Sequence, residues 1–237
     1  MKRLGASSIL LVFVGSACAS QKAWVYAPNP YRDAPVVAKR RAVVVPFEDA
    51  RENMNSNKLA LYMIPLLPYG WADMNVPEGA QMHITSGLWT NYKPTEDFAK
   101  ALAAELQNSR IFEEAYFDFK RGDADVVVSG KILDTKYKGK ILSYGLSLYG
   151  PLFWFFGLPA GTITNELSVE LSCLEAKSNR ELFSKRYSAA PYRKTTWIYS
   201  MANDFSYPSL LKEAYDHFLE DLRSQQSLFA SRGVRLD

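Results

Sequence analysis

Ser147 is the residue of this sequence that comes closest to a catalytic nucleophile. It lies in the segment GLSLYG, which begins at Gly145. A serine hydrolase usually presents its nucleophile on the tight turn Gly-x-Ser-x-Gly, but here the second glycine comes one residue too late. The serine would also need a histidine base, and the sequence offers His83 and His217, both isolated. We therefore expect that the protein is not an enzyme, and a hydrolase that uses Ser147 is the alternative.

Ligand sets for a metal or a cofactor are missing as well. Two isolated histidines and Cys173 form no pair at a usable spacing such as His-x-x-x-His or Cys-x-x-Cys. The dipeptide Gly139-Lys140 lacks the upstream glycine and the following Ser or Thr of a phosphate-binding loop. The adjacent carboxylates of Glu113 and Glu114 would point to opposite faces of a strand, which prevents joint acid–base work. We expect no metal, no cofactor and no catalytic residue.

Three basic residues form a regular pattern. Lys136, Lys138 and Lys140 alternate along one segment, so a strand would place all three on the same face. We call this set the basic comb. In the simpler interpretation the comb is a solvated face, or it protects a sheet edge from aggregation. In the alternative it binds lipid phosphates or an acidic partner, with about 1 kcal/mol for each contact near an anionic surface.

A long uncharged stretch covers residues 141–165 and contains YGLSLYGPLFWFFGLP at 144–159. A membrane helix needs ~20 apolar residues with an internally bonded backbone. Here glycine and proline recur so often that no segment of more than about two turns is free of them, so the stretch is not an independent span. Its tract FFGLP shares a Pro, Gly and aromatic character with LPYGW at 67–71. We expect the two tracts to pack against each other as an aromatic lobe at one end of a sheet.

Part of this lobe is predicted to stay exposed as a docking surface, because large exposed apolar patches usually mark binding sites. The candidate partner-binding residues are Tyr69, Trp71, Tyr149, Phe153, Trp154 and Phe155. Replacing Trp154 and Phe155 with serine should then weaken partner binding and leave the fold intact. In other interpretations the lobe closes the core, contacts a bilayer, or holds the acyl chain of a lipid-binding carrier.

The elements that must position these residues are predicted from hydrophobic periodicity. Apolar residues recur at helical spacing from 95 to 106 and again from Pro208 onward. Strands are expected at 42–47, 109–119, 124–140, 166–175 and 180–188. Residues 48–92 are predicted to be one long connection, whose apolar tract ALYMIPLLPYGW should rest on an apolar surface. The order indicates an α/β (α+β) sandwich with a mixed sheet of about five strands, helices packed on it, and the aromatic lobe.

The amino terminus, MKRLGASSILLVFVGSACAS, has a positive start, an apolar stretch and small residues before Cys18. This pattern is typical of a secretory signal, and its end at a cysteine resembles the bacterial lipoprotein signal. The resemblance implies that Cys18 is lipidated. Because residue 19 is alanine rather than aspartate, it also implies sorting to the outer membrane, with the protein facing the periplasm.

Domain limits and charge follow from this signal. We predict a signal peptide at 1–17, a lipidated tether at 18–39 and a single periplasmic α/β domain at 40–237. Removing the signal takes away two of the 28 basic residues, which leaves 26 against 25 acidic ones. So balanced a charge gives no argument for binding nucleic acid.

The order of the segments resembles a known group of envelope proteins. Four segments carry the resemblance: RRAVVVPFED, FAKALAAELQNSRIFEEAYF, ADVVVSGKI and ELSCLEAKSNRELFSKRYS. They are similar to the α/β domain of periplasmic assembly proteins, namely the amino-terminal domain of the Tol-system translocation protein and the curli-secretion type of lipoprotein. The resemblance implies a non-catalytic binding or assembly factor for envelope machinery, with an envelope protein as partner. In the curli-secretion type, inserted segments become membrane hairpins on assembly, which proline and glycine disfavour here. The oligomeric state is left open.

Overall fold

A computed structural model describes residues 22–82, 89–201 and 205–225. The predicted signal, Cys18 and His83 lie outside the described residues. The strands, in chain order, are β1 (Lys22–Ala23), β2 (Ala38–Val44), β3 (Glu48–Asp49), β4 (Met54–Lys58), β5 (Tyr69–Asn75), β6 (Trp89–Thr90), β7 (Phe112–Phe117), β8 (Val126–Leu142), β9 (Gly161–Glu175), β10 (Glu181–Ser188) and β11 (Tyr192–Thr196). The helices are α1 (Pro94–Ser109), α2 (Pro151–Phe155) and α3 (Tyr207–Ser224), with short 3₁₀ helices at Leu59–Met63, Ser147–Tyr149 and Ile198–Ser200.

Within the described ranges, nine strands form one mixed sheet whose central order is β10-β9-β8-β2-β7. β2 lies parallel to β7 and β8, whereas β8 and β9 run antiparallel. The two longest strands, β8 and β9, pair with each other, and the other edge of each strand pairs with different strands along its length. β8 pairs first with β2 and β3 and then with β5, while β9 pairs first with β11 and then with β10.

The α+β class and the mixed sheet agree with the prediction, but the expected sheet of about five strands is too small. Most of the difference lies in the predicted long connection, which contains β3, β4 and β5. β3 and β4 have the sequences ED and MNSNK, which show no apolar alternation. Such polar strands form because they pair with a neighbour, and this pairing leaves no local signal in the sequence.

α1 and α3 pack beside each other on the sheet, α1 mainly on β2 and β7 and α3 on β9 and β10. Their core side chains are fully buried: Phe98, Leu102 and Leu106 of α1, and Leu211, Tyr215, Phe218 and Leu222 of α3. This burial confirms the helical stripes that the spacing predicts.

A β-bulge in β8 determines which residues face solvent. The register of β8 against β9 shifts between Ile132 and Asp134, so one extra residue interrupts the alternation. Ile132 is buried before the bulge, and Thr135 and Tyr137 are buried after it. The basic comb therefore lies on the face opposite to the helices.

Residues 24–32, which we call the strap, cross both long helices. The Tyr26 hydroxyl donates to Glu105 Oε1 on α1 at 2.8 Å, and the Asn29 side-chain amide donates to Asp216 Oδ1 on α3 at 2.6 Å. The strap belongs to the range predicted as a tether, and these contacts hold it on the domain. The domain limits themselves stay a prediction.

Candidate docking surface

The aromatic lobe forms at the end of the sheet where β5 begins and β8 ends. The last rung between these strands pairs Tyr69 with Leu142. Residues 59–68 precede this rung and residues 143–160 follow it, and we use the name aromatic lobe for these two segments. Nowhere in the described part of the chain is a helix long and apolar enough to cross a membrane.

Two glycines permit close packing of the lobe. A Cβ atom at Gly70 would lie 1.9 Å from the carbonyl oxygen of Leu59, and one at Gly150 would lie 2.4 Å from that of Ser143. Because no side chain fits in either place, the lobe can press directly against the ends of the strands.

Backbone hydrogen bonds join the two segments of the lobe. The amide of Leu66 donates to the Gly145 carbonyl at 2.9 Å. The amides of Ser143 and Tyr144 both donate to the Pro68 carbonyl, at 2.8 and 3.0 Å. The two segments are therefore one bonded unit and not two independent loops.

Both predicted tracts attach to the end of β8. LPYGW provides the start of β5, which pairs with β8. On the FFGLP side, Trp154 Nε1 donates to the Leu142 carbonyl at 3.0 Å, and the Tyr144 hydroxyl donates to the Pro159 carbonyl at 2.6 Å. Both tracts thus adjoin the end of β8, which lies between them, and their direct packing on each other stays a prediction.

Exposure divides the six predicted contact residues into two groups. Three are exposed, at 73%, 37% and 68%: Tyr149, Phe153 and Phe155. Three are half-buried: Tyr69, Trp71 and Trp154. The first group therefore presents more of its surface to solvent than the second group does.

Several further apolar residues of the lobe are exposed and were not among the predicted contact residues: Met63, Ile64, Leu66, Leu148, Leu152 and Phe156. Leu66 and Phe156 are 89% and 81% exposed. The tract around Leu66 was expected to rest on an apolar surface. Leu59 does pack on the core, but the chain turns at Leu66, with φ of 70°, and presents this side chain to solvent. The adjacent prolines were the available signal of such a turn.

The basic comb lies beside the lobe on the outward face. Each of its lysines has a contact: Lys136 with Asp134 at 3.0 Å, Lys138 with Glu166 at 3.0 Å, and Lys140, whose Nζ lies 4.6 Å from the centre of the Tyr69 ring. On the rung of Lys140, the Nζ of Lys58 lies 5.6 Å from the centre of the Trp71 ring. Lysine over an aromatic face is a favourable arrangement, so basic and aromatic side chains form one layer next to the lobe.

Of the residues considered for catalysis, Ser147, His217 and Cys173 lie in the described ranges, and each has its own local surroundings. The Ser147 hydroxyl donates to the backbone carbonyl of Met63. His217 lies on α3, 3.7 Å from a carboxylate oxygen of Glu220. Cys173 is buried, and this burial raises the pKa of its thiol, which disfavours the thiolate that a reactive cysteine needs. Over the described ranges, no three His, Cys, Asp or Glu side chains could hold a metal ion.

A cavity of about 160 Å³ lies away from the lobe, and among its lining residues are Arg51, Met74, Tyr92, Tyr137, Phe205 and Tyr207. The guanidinium of Arg51 donates to both carboxylate oxygens of Asp49, at 2.8 and 2.6 Å, and to Thr135 Oγ1 at 2.7 Å. Its charge is balanced by Asp49, so the cavity is mainly an apolar space. The lipid-carrier interpretation places its acyl chain in the lobe, not here.

Comparison with known proteins supports the fold alone. No protein-family model matches the sequence, and no curated protein matches it. A Xanthomonas campestris protein of the family model DUF330 is similar in structure, with 11% identity, a TM-score of 0.50, and coverage of 87% of this chain and 98% of that one. Its likeness indicates a shared fold and no more.

Two further solved structures are similar at lower scores. One is a Helicobacter pylori protein described as a homolog of a neuraminyllactose-binding hemagglutinin, with 10% identity, a TM-score of 0.41, and coverage of 87% and 94% of the two chains. The other is the PelC dodecamer from Paraburkholderia phytofirmans, with 11% identity, a TM-score of 0.38, and coverage of 79% and 92%. TM-scores this low carry no argument, and the resemblance to the Tol-system and curli-secretion proteins stays a prediction.

Proposed function

We propose that this chain is a non-catalytic, lipid-anchored protein of the bacterial outer membrane that faces the periplasm and serves the cell envelope as a binding or assembly factor. Its docking surface is the aromatic lobe, and its anchor is the lipid on Cys18. The observation that carries the proposal is the set of large apolar side chains that the lobe exposes, up to 89% for Leu66.

The structure of the lobe favours a docking role over a chance exposure. Its backbone hydrogen bonds hold the exposed side chains in one arrangement before any partner arrives. A surface that is already ordered loses less conformational entropy when it binds. Contiguous apolar surface on a soluble domain usually marks an interaction site.

The non-catalytic part of the proposal rests on Ser147, whose hydroxyl donates its hydrogen bond to the backbone carbonyl of Met63. An esterase or amidase activity of the purified protein that disappears in Ser147→Ala would support the hydrolase alternative and contradict this part.

Photocrosslinking in intact cells tests the docking surface. A photoreactive amino acid replaces Phe155, which is 68% exposed, and mass spectrometry identifies what it captures. The control position is Lys177, which is exposed in the turn between β9 and β10. We expect adducts with envelope molecules from position 155 and none from position 177. If position 155 captures only residues of the same chain, the lobe is not a docking surface and the proposal fails.

A further inference from the structure

We infer that the aromatic lobe docks on the phospholipid bilayer that holds the protein's own anchor, so that the lobe enters the interfacial layer while the neighbouring lysines meet anionic headgroups. This inference rests on the proposed function, because it names the occupant of the same docking surface. A protein partner at the lobe is the competing outcome.

The length of chain between anchor and fold keeps the domain near the membrane. The first described strand begins at Lys22, and four residues beyond Cys18 span at most ~14 Å. The strap that follows is bonded to α1 and α3, so it adds no slack. A domain held this close meets the bilayer at a high effective concentration, and even a weak lobe contact becomes populated.

The lobe itself has the chemistry of a membrane-inserting tip. Residues 59–68 and 143–160 contain no charged side chain. Its exposed residues are aliphatic or aromatic, among them Leu66, Leu148 and Phe156. Its backbone amides and carbonyls are largely paired by the turns and the strand end, which lowers the cost of leaving water.

The residues next to the lobe match the headgroup region in type and depth. The rung that pairs Trp71 with Lys140 lies two residues, or about 7 Å along the strand, from the last rung of Tyr69 and Leu142. Interfacial segments enter the headgroup and acyl boundary by about 5–10 Å. Tyrosine and tryptophan at this level are typical of the aromatic belt of membrane proteins.

Charge around the lobe complements an anionic surface. Two outward rows follow the last rung, across β4, β5, β8, β9 and β11. Their basic side chains are Lys58, Lys138, Lys140 and Arg193, and their acidic side chain is Asp73. The ion-pair partner of Lys138, Glu166, lies one row further from the lobe. A rim dominated by one sign of charge favours anionic lipid over a protein surface with mixed charges.

Fluorescence in vesicles tests the inference. The mature lipidated protein is reconstituted in vesicles of phosphatidylethanolamine and phosphatidylglycerol, with an environment-sensitive dye on Phe156→Cys or, as the control, on Lys177→Cys. Cys173 is buried, so the introduced thiol takes the label. We expect the dye at 156 to shift to shorter wavelength and to be quenched about twofold by doxyl-labelled lipid, and the dye at 177 to show neither effect. Lys58→Gln with Lys140→Gln should reduce the quenching at 156.

Two outcomes separate this inference from the proposed function. A dye at 156 that stays unquenched, together with specific protein adducts from position 155 in cells, overturns the bilayer as occupant and leaves the docking function standing. An unquenched dye with no adducts of any kind overturns both. Lipid quenching at 156 that is insensitive to the two lysine substitutions would contradict the role of Lys58 and Lys140 in binding anionic headgroups.

Discussion

Arg51 is a charged residue that the fold removes almost completely from solvent. Its side chain is 4% exposed, and that of its partner Asp49 is 13% exposed. Burial alone would raise the pKa of Asp49, but hydrogen bonds from Arg51 and from the Glu78 amide outweigh it and hold this pKa below its ordinary value. The bidentate contact between Arg51 and Asp49 satisfies both charges. A third hydrogen bond, from Arg51 to Thr135, connects the loop after β3 with the middle of β8.

We therefore expect Arg51→Leu to lower the free energy of unfolding by about 3 kcal/mol, because it leaves the Asp49 carboxylate mostly buried and without its charge partner. The matched control is Arg41→Gln. It removes an ion pair with Glu114 in which the side chains are 45% and 51% exposed, and because solvent screens so exposed a pair, it should lower the free energy of unfolding far less than Arg51→Leu does. Urea denaturation measures both variants. Equal losses would mean that burial of the pair contributes nothing.

At the scale of elements, α2 shows how two neighbouring aromatic residues take different roles. Trp154 is half-buried, and its indole N–H donates to the Leu142 carbonyl at the end of β8. Phe155, the next residue, is 68% exposed. In this one turn of helix, Trp154 faces inward and bonds the lobe to β8, and Phe155 faces outward and is accessible to a partner.

This division predicts opposite effects for two single substitutions. Trp154→Ser should lower the free energy of unfolding by about 2 kcal/mol, because it removes a half-buried ring and a hydrogen bond. Phe155→Ser should change it by about 0.5 kcal/mol or less but should abolish the crosslinks or the lipid contact of the lobe. Denaturation midpoints and photocrosslinking from position 153 measure the two effects. An unchanged midpoint for Trp154→Ser would restore the original expectation that both residues can be replaced without harm to the fold.

At the scale of the whole molecule, β8 and β9 connect two parts of the sheet. One part contains β2, β7 and β10 and is covered by α1 and α3. The other contains β4, β5 and β11 and ends in the lobe. Stability should therefore decrease from the helix-covered part toward the lobe, because buried apolar contacts decrease in the same direction.

Hydrogen exchange measured by mass spectrometry checks this gradient. Amides near Val128 and Leu171, which are fully buried, should exchange only on global unfolding. Amides of residues 147–156 should exchange at least about 100-fold faster, because short helices with exposed side chains open locally. Equal protection of both regions would show that the lobe unfolds only with the entire domain.

The extent to which sequence predicts this molecule differs between its parts. The stripes of α1 and α3 and the apolar strands β2, β8 and β9 follow from local periodicity, because burial of one face repeats every few residues. The lobe tracts are recognisable from their lack of charge and their Pro, Gly and aromatic residues, and three of the predicted contact residues, Tyr149, Phe153 and Phe155, are exposed. The polar strands β3 and β4 were not, because their conformation depends on a paired neighbour.

The sequence by itself determined the class of fold, the helix stripes, the common face of the basic comb and the two apolar tracts of the lobe, since each depends on residues close together in the chain. Only the tertiary structure decided the nine-strand sheet, the docked strap, and which lobe side chains are exposed. The bond from Arg51 to Thr135 joins residues 84 positions apart, and Tyr26 meets Glu105 across 79. Burial and pairing of this kind depend on which distant segment covers a residue, and no local pattern specifies that neighbour.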